Sequence, residues 1–359
     1  MVKDMLFSII IPVFNVSINL LRRTIESVIG QSGDDIELII VDDGSEEENS
    51  ILYKNLCNGY TQTKYCAKEN AGPSVARNYG VEKAQGDYVF FLDSDDYIVN
   101  GCIEQARLTI NKYDPDIVFG YVYKDLADQG LIKYKILSNE PEEILVEDKK
   151  NLTALMNHIL GYEEQSFMYE YGYISDGPCC RFFRRSLFEN NYFDAVPKWN
   201  EDTLWNIELL KKCKTAVICK SRWYIYAVRK GSTMQGYRKD CYNEFLYITE
   251  RVSDIGHELW NGEIDRGVAY RIWHDIFILS RALIFNRRNE ASFRDKYNML
   301  KNAIDIPSYQ TAVKVVDFSQ EKRRNRRIVK EILNTAMKMK CYFLVYVIIR
   351  LYIRESKKI

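Results

Sequence analysis

Three short, almost wholly apolar runs, each opening onto polar residues, constrain this chain more than any other feature. Phe7–Ile11 stops at Pro12, Ile36–Val41 ends in Asp42-Asp43-Gly44-Ser45, and Tyr88–Leu92 ends in Asp93-Ser94-Asp95-Asp96. Runs without a polar alternation predict strands buried on both faces of a sheet. Helix-period segments lie between them. One runs from a cap at Asn19 to Ile29 with Leu21, Ile25, Val28 and Ile29 on one side; the others are Glu46–Leu56 and Val75–Lys83. Tyr65-Cys66-Ala67 adds a short strand. Such alternation predicts a mostly parallel sheet with helices on both faces. Ligands of these sheets bind outside the carboxyl ends of the strands, so Asp42-Asp43 and Asp93–Asp96 should face one crevice.

Three carboxylates within four residues at the edge of a core repel one another. A hard divalent cation such as Mg²⁺ or Mn²⁺, held by oxygen ligands and shared with a diphosphate, is the simplest remedy. The plainer alternative is a solvated acidic turn capping the next helix.

The rest of the chain is less regular until its last third. Asp116–Tyr123 and Trp223–Val228 read as strands, Asn151–Leu160 as a helix, and Asn200-Glu201-Asp202-Thr203 opens an amphipathic helix through Lys212. From about residue 240 the pattern is helical, over 241–260, 264–287, 291–303 and 321–353. This predicts a domain over 1–235, with a nucleotide-binding half (1–100) and an acceptor-binding half (101–235), followed by a helical region over 236–359. Nine Cys at scattered positions make no disulfide framework, and three His lack the spacing of a metal site. Both suit a reducing, cytoplasmic setting with buried free thiols. The run Leu6–Phe14, broken by Pro12, is too short for a signal peptide.

Five segments carry a resemblance. Ser8–Asn15 (SIIIPVFN), Val41–Ser45 (VDDGS), Glu69–Asn78 (ENAGPSVARN), Leu92–Asp96 (LDSDD) and Asn200–Asn206 (NEDTLWN), in this order and spacing, resemble a family 2 glycosyltransferase with the GT-A fold. The resemblance covers roughly residues 5–230. It implies transfer of a sugar from a nucleotide-diphosphate donor, a UDP-sugar being favoured, to a glycan or lipid-linked acceptor. It further implies Mg²⁺ or Mn²⁺ and inversion at the anomeric carbon. By the same resemblance Asp95 is the metal ligand, Asp93 assists it near the ribose or donor sugar, and Asp96 would act through water. Asp202 takes the place of the acceptor base, with Glu201 beside it. The alternative for this pair is a helix N-terminus favoured by acids.

The resemblance also implies that Pro12, Phe14 and Asn15 border the base and that Asp42 accepts from a ring N–H, while Asp43, preceding a glycine, holds its own loop. Gly72 would allow close backbone approach. Arg77 would meet either the ligand or one of the crevice aspartates, and Arg229 either the diphosphate or solvent. Arg181 stands where the family often has Lys, which puts its part in donor binding in doubt. Two other readings stay open: a nucleotidyltransferase, which would want a Gly-rich basic loop after the first strand, and a catalytically silent sugar-nucleotide-binding or assembly subunit.

Zero net charge hides a split. Residues 320–359 hold 12 Lys or Arg and 3 Glu, so the tail is +9 and the body −9. The cationic run Lys322–Arg327 precedes Cys341–Ile349, nine apolar or aromatic residues without a break. With Arg350 interrupting, the stretch is too short to span a bilayer, which takes about 20 residues. It predicts either a helix lying on the anionic inner face of the cell membrane or one packed internally or against another subunit. Nucleic acid is not an expected partner; homo-oligomerisation is left open.

Overall fold

A computed structural model of the 359-residue chain describes residues 5–31, 33, 35–125, 142–162, 177–197, 201–227, 237–259, 266–319, 321 and 323–355. Two compact units result, one of Met1–Thr153 with Glu170–Lys230, the other of Ala154–Tyr169 with Gly231–Ile359. The short segment 154–169 belongs to the second unit, which the helical pattern alone did not suggest.

In the first unit the chain runs β1 (Phe7–Val13), α1 (Ile18–Ile29), β2 (Ile36–Asp42), α2 (Glu47–Cys57), β3 (Thr63–Ala67), α3 (Pro73–Lys83) and β4 (Tyr88–Phe91). It continues through β5 (Tyr97–Ile98), α4 (Cys102–Tyr113), β6 (Ile117–Asp125), β7 (Glu143–Val146), α5 (Lys149–Ile159), β8 (Arg181–Arg184), α6 (Glu201–Lys212) and β9 (Ala216–Ala227). Only the start of α5 belongs to this unit. One nine-stranded sheet has the order β3-β2-β1-β4-β8-β6-β9-β5, with β7 also on β9. The four strands β3-β2-β1-β4 are parallel, in the register Ile9 opposite Leu38 and Phe90. Beyond β4 the sheet is mixed: β4–β8, β6–β8, β5–β9 and β7–β9 are antiparallel, while β6–β9 is parallel.

The apolar runs form the core: Ile9, Ile10, Ile11, Leu38, Ile39, Ile40, Val89, Phe90 and Phe91 are fully buried. β1 does not stop at Pro12 but pairs Pro12 with Val41 and Val13 with Asp42. The Ile10 carbonyl accepts from the Leu92 amide, and the missing Pro12 N–H falls on the same side, past the last β4 rung at Ile10–Phe91. A proline whose N–H side has no partner strand loses nothing. α1 begins after Ser17 rather than at Asn19. α3 begins at Pro73, whose fixed φ and absent N–H suit a first helical position. Gly80 lets α3 lie close on the sheet, since a Cβ there would come within 2.3 Å of the Ile10 side chain.

The second unit is helical: the rest of α5, then α7 (Cys241–Leu259), α8 (Arg266–Leu279), α9 (Phe293–Asp305), α10 (Pro307–Val315), α11 (Arg324–Lys338) and α12 (Tyr342–Glu355). Its core includes Trp273, Tyr309, Ile276 and Met337, and the Tyr309 hydroxyl donates to the Trp273 carbonyl at 3.0 Å. The single helix expected over 321–353 is two helices, because the chain turns at Met339–Cys341 with Lys340 left-handed (φ 57°). α12 is internal on one face and open on the other: Val345, Tyr346, Ile349 and Ile353 are buried, whereas Phe343, Leu344, Leu351 and Tyr352 are exposed. Among the described residues no helix is long and apolar enough to cross a membrane. The nine Cys form no disulfide; seven are buried, and burial pushes the Cys57 and Cys213 thiols up to about 12, so they stay protonated.

Candidate functional site

The sheet order 3-2-1-4 reverses direction between β1 and β4, and the crevice at such a switch point is the usual ligand site of an open α/β sheet. The tips of β1, β2 and β4 all end there. Asn15, left-handed at φ 47°, ties two of them: its amide donates to Ser45 Oγ at 3.0 Å, and its Oδ1 accepts from the Glu46 amide at 2.9 Å. Asn is among the few residues that take this conformation readily. Phe14 beside it is 53% exposed at the crevice edge, with Pro12 half-buried beneath.

The two aspartates after β2 have separate tasks. Asp42 is fully buried, accepting from the Ser45 amide (2.9 Å), Ser50 Oγ (2.6 Å) and Tyr65 Oη (2.6 Å). Burial would raise its pKa, but these donors hold it below the ordinary value. Asp43 braces the loop 68–72, accepting from Lys68 Nζ (2.6 Å), the Ala71 amide (3.0 Å) and the Gly72 amide (2.8 Å). Gly72 has φ 93°, which glycine adopts without strain, and it caps α3.

α3 then carries Arg77 into the crevice. Its guanidinium, with only 8% of the side chain accessible, lies 3.3 Å from Glu201, 3.5 Å from Asp202 and 3.5 Å from Asp93. Burial alone would lower its pKa, yet Asp202, Asp93 and Glu201 hold it above the ordinary value. Of the two roles the sequence left open for Arg77, contact with crevice acids is the one observed. Its guanidinium also sits 5.4 Å above the Phe193 ring. Phe193 is clamped by Asn78 in both directions and stacks on Trp205 at 4.1 Å, which seats α6 and so places Glu201 and Asp202.

The loop after β4 is held from both sides. Arg23 donates to the Asp95 carbonyl (2.6 Å), and Thr24 Oγ1 to the Ser94 (3.0 Å) and Asp96 (2.7 Å) carbonyls. Asp96 points inward, accepting from Tyr224 Oη at 2.6 Å and the Ala227 amide at 2.8 Å. Burial, with Asp93 and Asp95 adding repulsion, pushes its carboxyl well above the usual range. Asp93 and Asp95 remain partly accessible. Sequence reasoning missed Arg23, Thr24 and Phe193, which bear no motif and reach the site from 70 to 115 positions away. Arg181 is buried, donating to Asn206 at 2.5 Å and covering Phe119, so it holds the core. Arg229 and Asn200 lie outside the described residues.

An α/β sheet with an acid-lined crevice at its switch point is the class of protein this geometry defines. The chain belongs to glycosyl transferase family 2, whose model matches residues 8–191. It is 32% identical over 232 residues to glycosyltransferase GlyA of Streptococcus pneumoniae, an alignment covering 65% of this chain but 32% of GlyA. The chain thus spans about a third of that relative's length. It is 28% identical over 258 residues to a GalNAc(5)-diNAcBac-PP-undecaprenol beta-1,3-glucosyltransferase of Campylobacter jejuni, covering 70% of this chain and 74% of that enzyme. Residues 1–349 of S. aureus TarS, solved in complex with UDP-GlcNAc, match with a TM-score of 0.65 at 18% identity, over 98% of this chain and 92% of that one. At that identity the likeness is one of fold.

Proposed function

We propose that the chain is an inverting glycosyltransferase of cell-surface polysaccharide synthesis, working at the inner face of the cell membrane. It moves a sugar from a nucleoside-diphosphate donor to the hydroxyl of a glycan or lipid-linked acceptor. The observation that carries this reading is the meeting of Asp93, Glu201 and Asp202 on the buried Arg77 at the strand ends. A uracil nucleotide as donor is supported by the complexes of TarS with UDP-GlcNAc and with UDP.

Asp202 is the base. Its side chain is 33% accessible against 11% for Glu201, so an incoming hydroxyl can reach it, while Glu201 stays packed on Arg77. Inversion needs one carboxylate on the face opposite the leaving group, and a base within hydrogen-bond reach takes the hydroxyl proton as the new bond forms. Arg77, in contact with both α6 acids, holds them aimed into the crevice. Pro12, Phe14 and Asn15 form the border for the base, and Gly72 the backbone approach. Asp42, whose carboxylate already accepts from three groups, shapes this edge from within.

With Asp96 turned to Tyr224 and Ala227, the accessible acids of the β4 loop are Asp93 and Asp95. Among the described residues no three acids, histidines or cysteines form a ready ion cage. The carboxylate oxygens of Asp93 and Asp95 suit Mg²⁺ or Mn²⁺, which bind through one or two carboxylates plus substrate phosphate. Such an ion, when bound, supplies positive charge to the departing diphosphate.

Purified protein incubated with a panel of UDP-sugars and Mn²⁺ should release UDP and stop doing so in EDTA. Asp202→Asn should keep donor affinity and lose at least about a hundredfold in turnover. Pyrophosphate release, or normal turnover by Asp202→Asn, overturns the reading.

A further inference from the structure

Exposed apolar side chains are concentrated at one end of the second unit. Of the sixteen large apolar side chains exposed among the described residues, eight lie within 328–352. On α12, Phe343 is 64% and Leu351 55% exposed, with Leu344 and Tyr352 also open. At 100° per residue Phe343, Leu344, Val347 and Leu351 share one face, with Arg350 at its edge and Arg354 on it at the helix's carboxyl end. α11 repeats the pattern, with Ile328 and Ile332 exposed among Arg324, Arg326 and Arg327. Residues 323–354 hold nine Lys or Arg and one acid, Glu331, which pairs with Arg327 at 2.8 Å.

We propose that the exposed faces of α11 and α12 dock on an anionic lipid bilayer, with Phe343, Leu344 and Leu351 below the headgroups and the flanking arginines among them. The inference deepens the membrane-face part of the proposed function and rests on it. Three observations select this occupant. α12 has 14 residues, about 21 Å of helix, too short to cross roughly 30 Å of hydrocarbon and suited to lying in its surface. The opposite face of α12 is already packed within the unit, so the open face is not the unsatisfied half of a core helix. A second copy of this chain would bring its own exposed Arg323, Arg324, Arg326, Arg350 and Arg354 against these, and protein interface cores are depleted in charge. An anionic headgroup layer complements both features at once, each cation near it being favourable.

Vesicle binding tests this without donor or acceptor, so its failure is separate from a failure of glycosyl transfer. The full chain should co-sediment with vesicles of phosphatidylcholine mixed with phosphatidylglycerol at low salt and be released as salt is raised. Arg350→Glu with Arg354→Glu should weaken binding at least about thirtyfold on anionic vesicles. Phe343→Ser with Leu351→Ser should weaken it at least about tenfold, with circular dichroism and melting unchanged because both side chains are exposed. A full chain that ignores anionic vesicles overturns the proposal. So does binding that both variants leave intact, or sedimentation velocity showing a dimer that Phe343→Ser with Leu351→Ser dissociates, which would make the surface a protein interface.

Discussion

Arg77 is the residue on which the crevice depends. Three carboxylates from two distant segments face it, and each would repel the others without it. Removing one partner of a buried ionic group leaves the rest uncompensated, a loss of about 3–5 kcal/mol. Arg77→Met should therefore lower unfolding stability by roughly that amount in urea titration and abolish turnover. Arg77→Lys should recover much of the stability but not the activity, because a point charge cannot hold three carboxylates with one planar fork. Equal stability of Arg77→Met and the parent would mean that the contacts of 3.3–3.5 Å carry little. Around this centre, tasks divide by burial: Asp42 and Asp96 are turned inward, while Asp93, Asp95 and Asp202 keep an accessible edge.

At the scale of elements, α6 is seated by aromatic packing. Trp205 stacks on Phe193 and meets Phe91, Phe183 and Phe188 edge-on or stacked. Trp205→Ala should cost about 3–5 kcal/mol of stability. Trp205→Phe, which keeps an aromatic ring, should fold and show reduced kcat with little change in donor affinity, since the proposed donor contacts lie on the other strand ends. Unchanged kcat in a folded Trp205→Phe would detach the packing from the chemistry. α11 and α12 show the opposite situation, a break with no Gly or Pro to announce it. A 33-residue helix would extend about 50 Å. Two short ones instead pack on each other, burying Leu333 and Met337 on one and Val345 and Ile349 on the other.

At the scale of the whole molecule, one histidine links stability to pH. The helical unit holds His274 against Tyr270 and Phe277, and burial, with Arg271, Lys330 and Arg281 nearby, lowers its pKa to about 3. An unfolded histidine titrates near 6.5. Below that pH the unfolded chain binds a proton that the folded one refuses, so stability is full above about 6.5 and is lost as pH falls toward 3. The residue is half-buried, so the loss at pH 5 should be at most about 2 kcal/mol. Urea midpoints of the parent and His274→Phe at pH 7 and pH 5 measure it. The parent should lose more between the two pH values, and parallel behaviour would show that His274 protonates in place.

The parallel half of the sheet and the position of its acids were readable from the amino-acid order because both follow local rules. An apolar run without alternation must be buried on two faces, and residues after such a run must sit at a strand's carboxyl end. The helical last third was readable for the same reason, although α10, nine residues after Ile306, was too short for its period to register. Partnerships over long separations had no local signature. Arg77 meets Glu201 and Asp202 across 124 and 125 positions, and Thr24 reaches the Asp96 carbonyl across 72. The full burial of Asp42, the anchoring of Asp43 to loop 68–72, the turn at Lys340, and the open face of α12 likewise depend on which surfaces other segments cover. That coverage is a property of the packed chain, because it is set by contacts between residues far apart in the sequence.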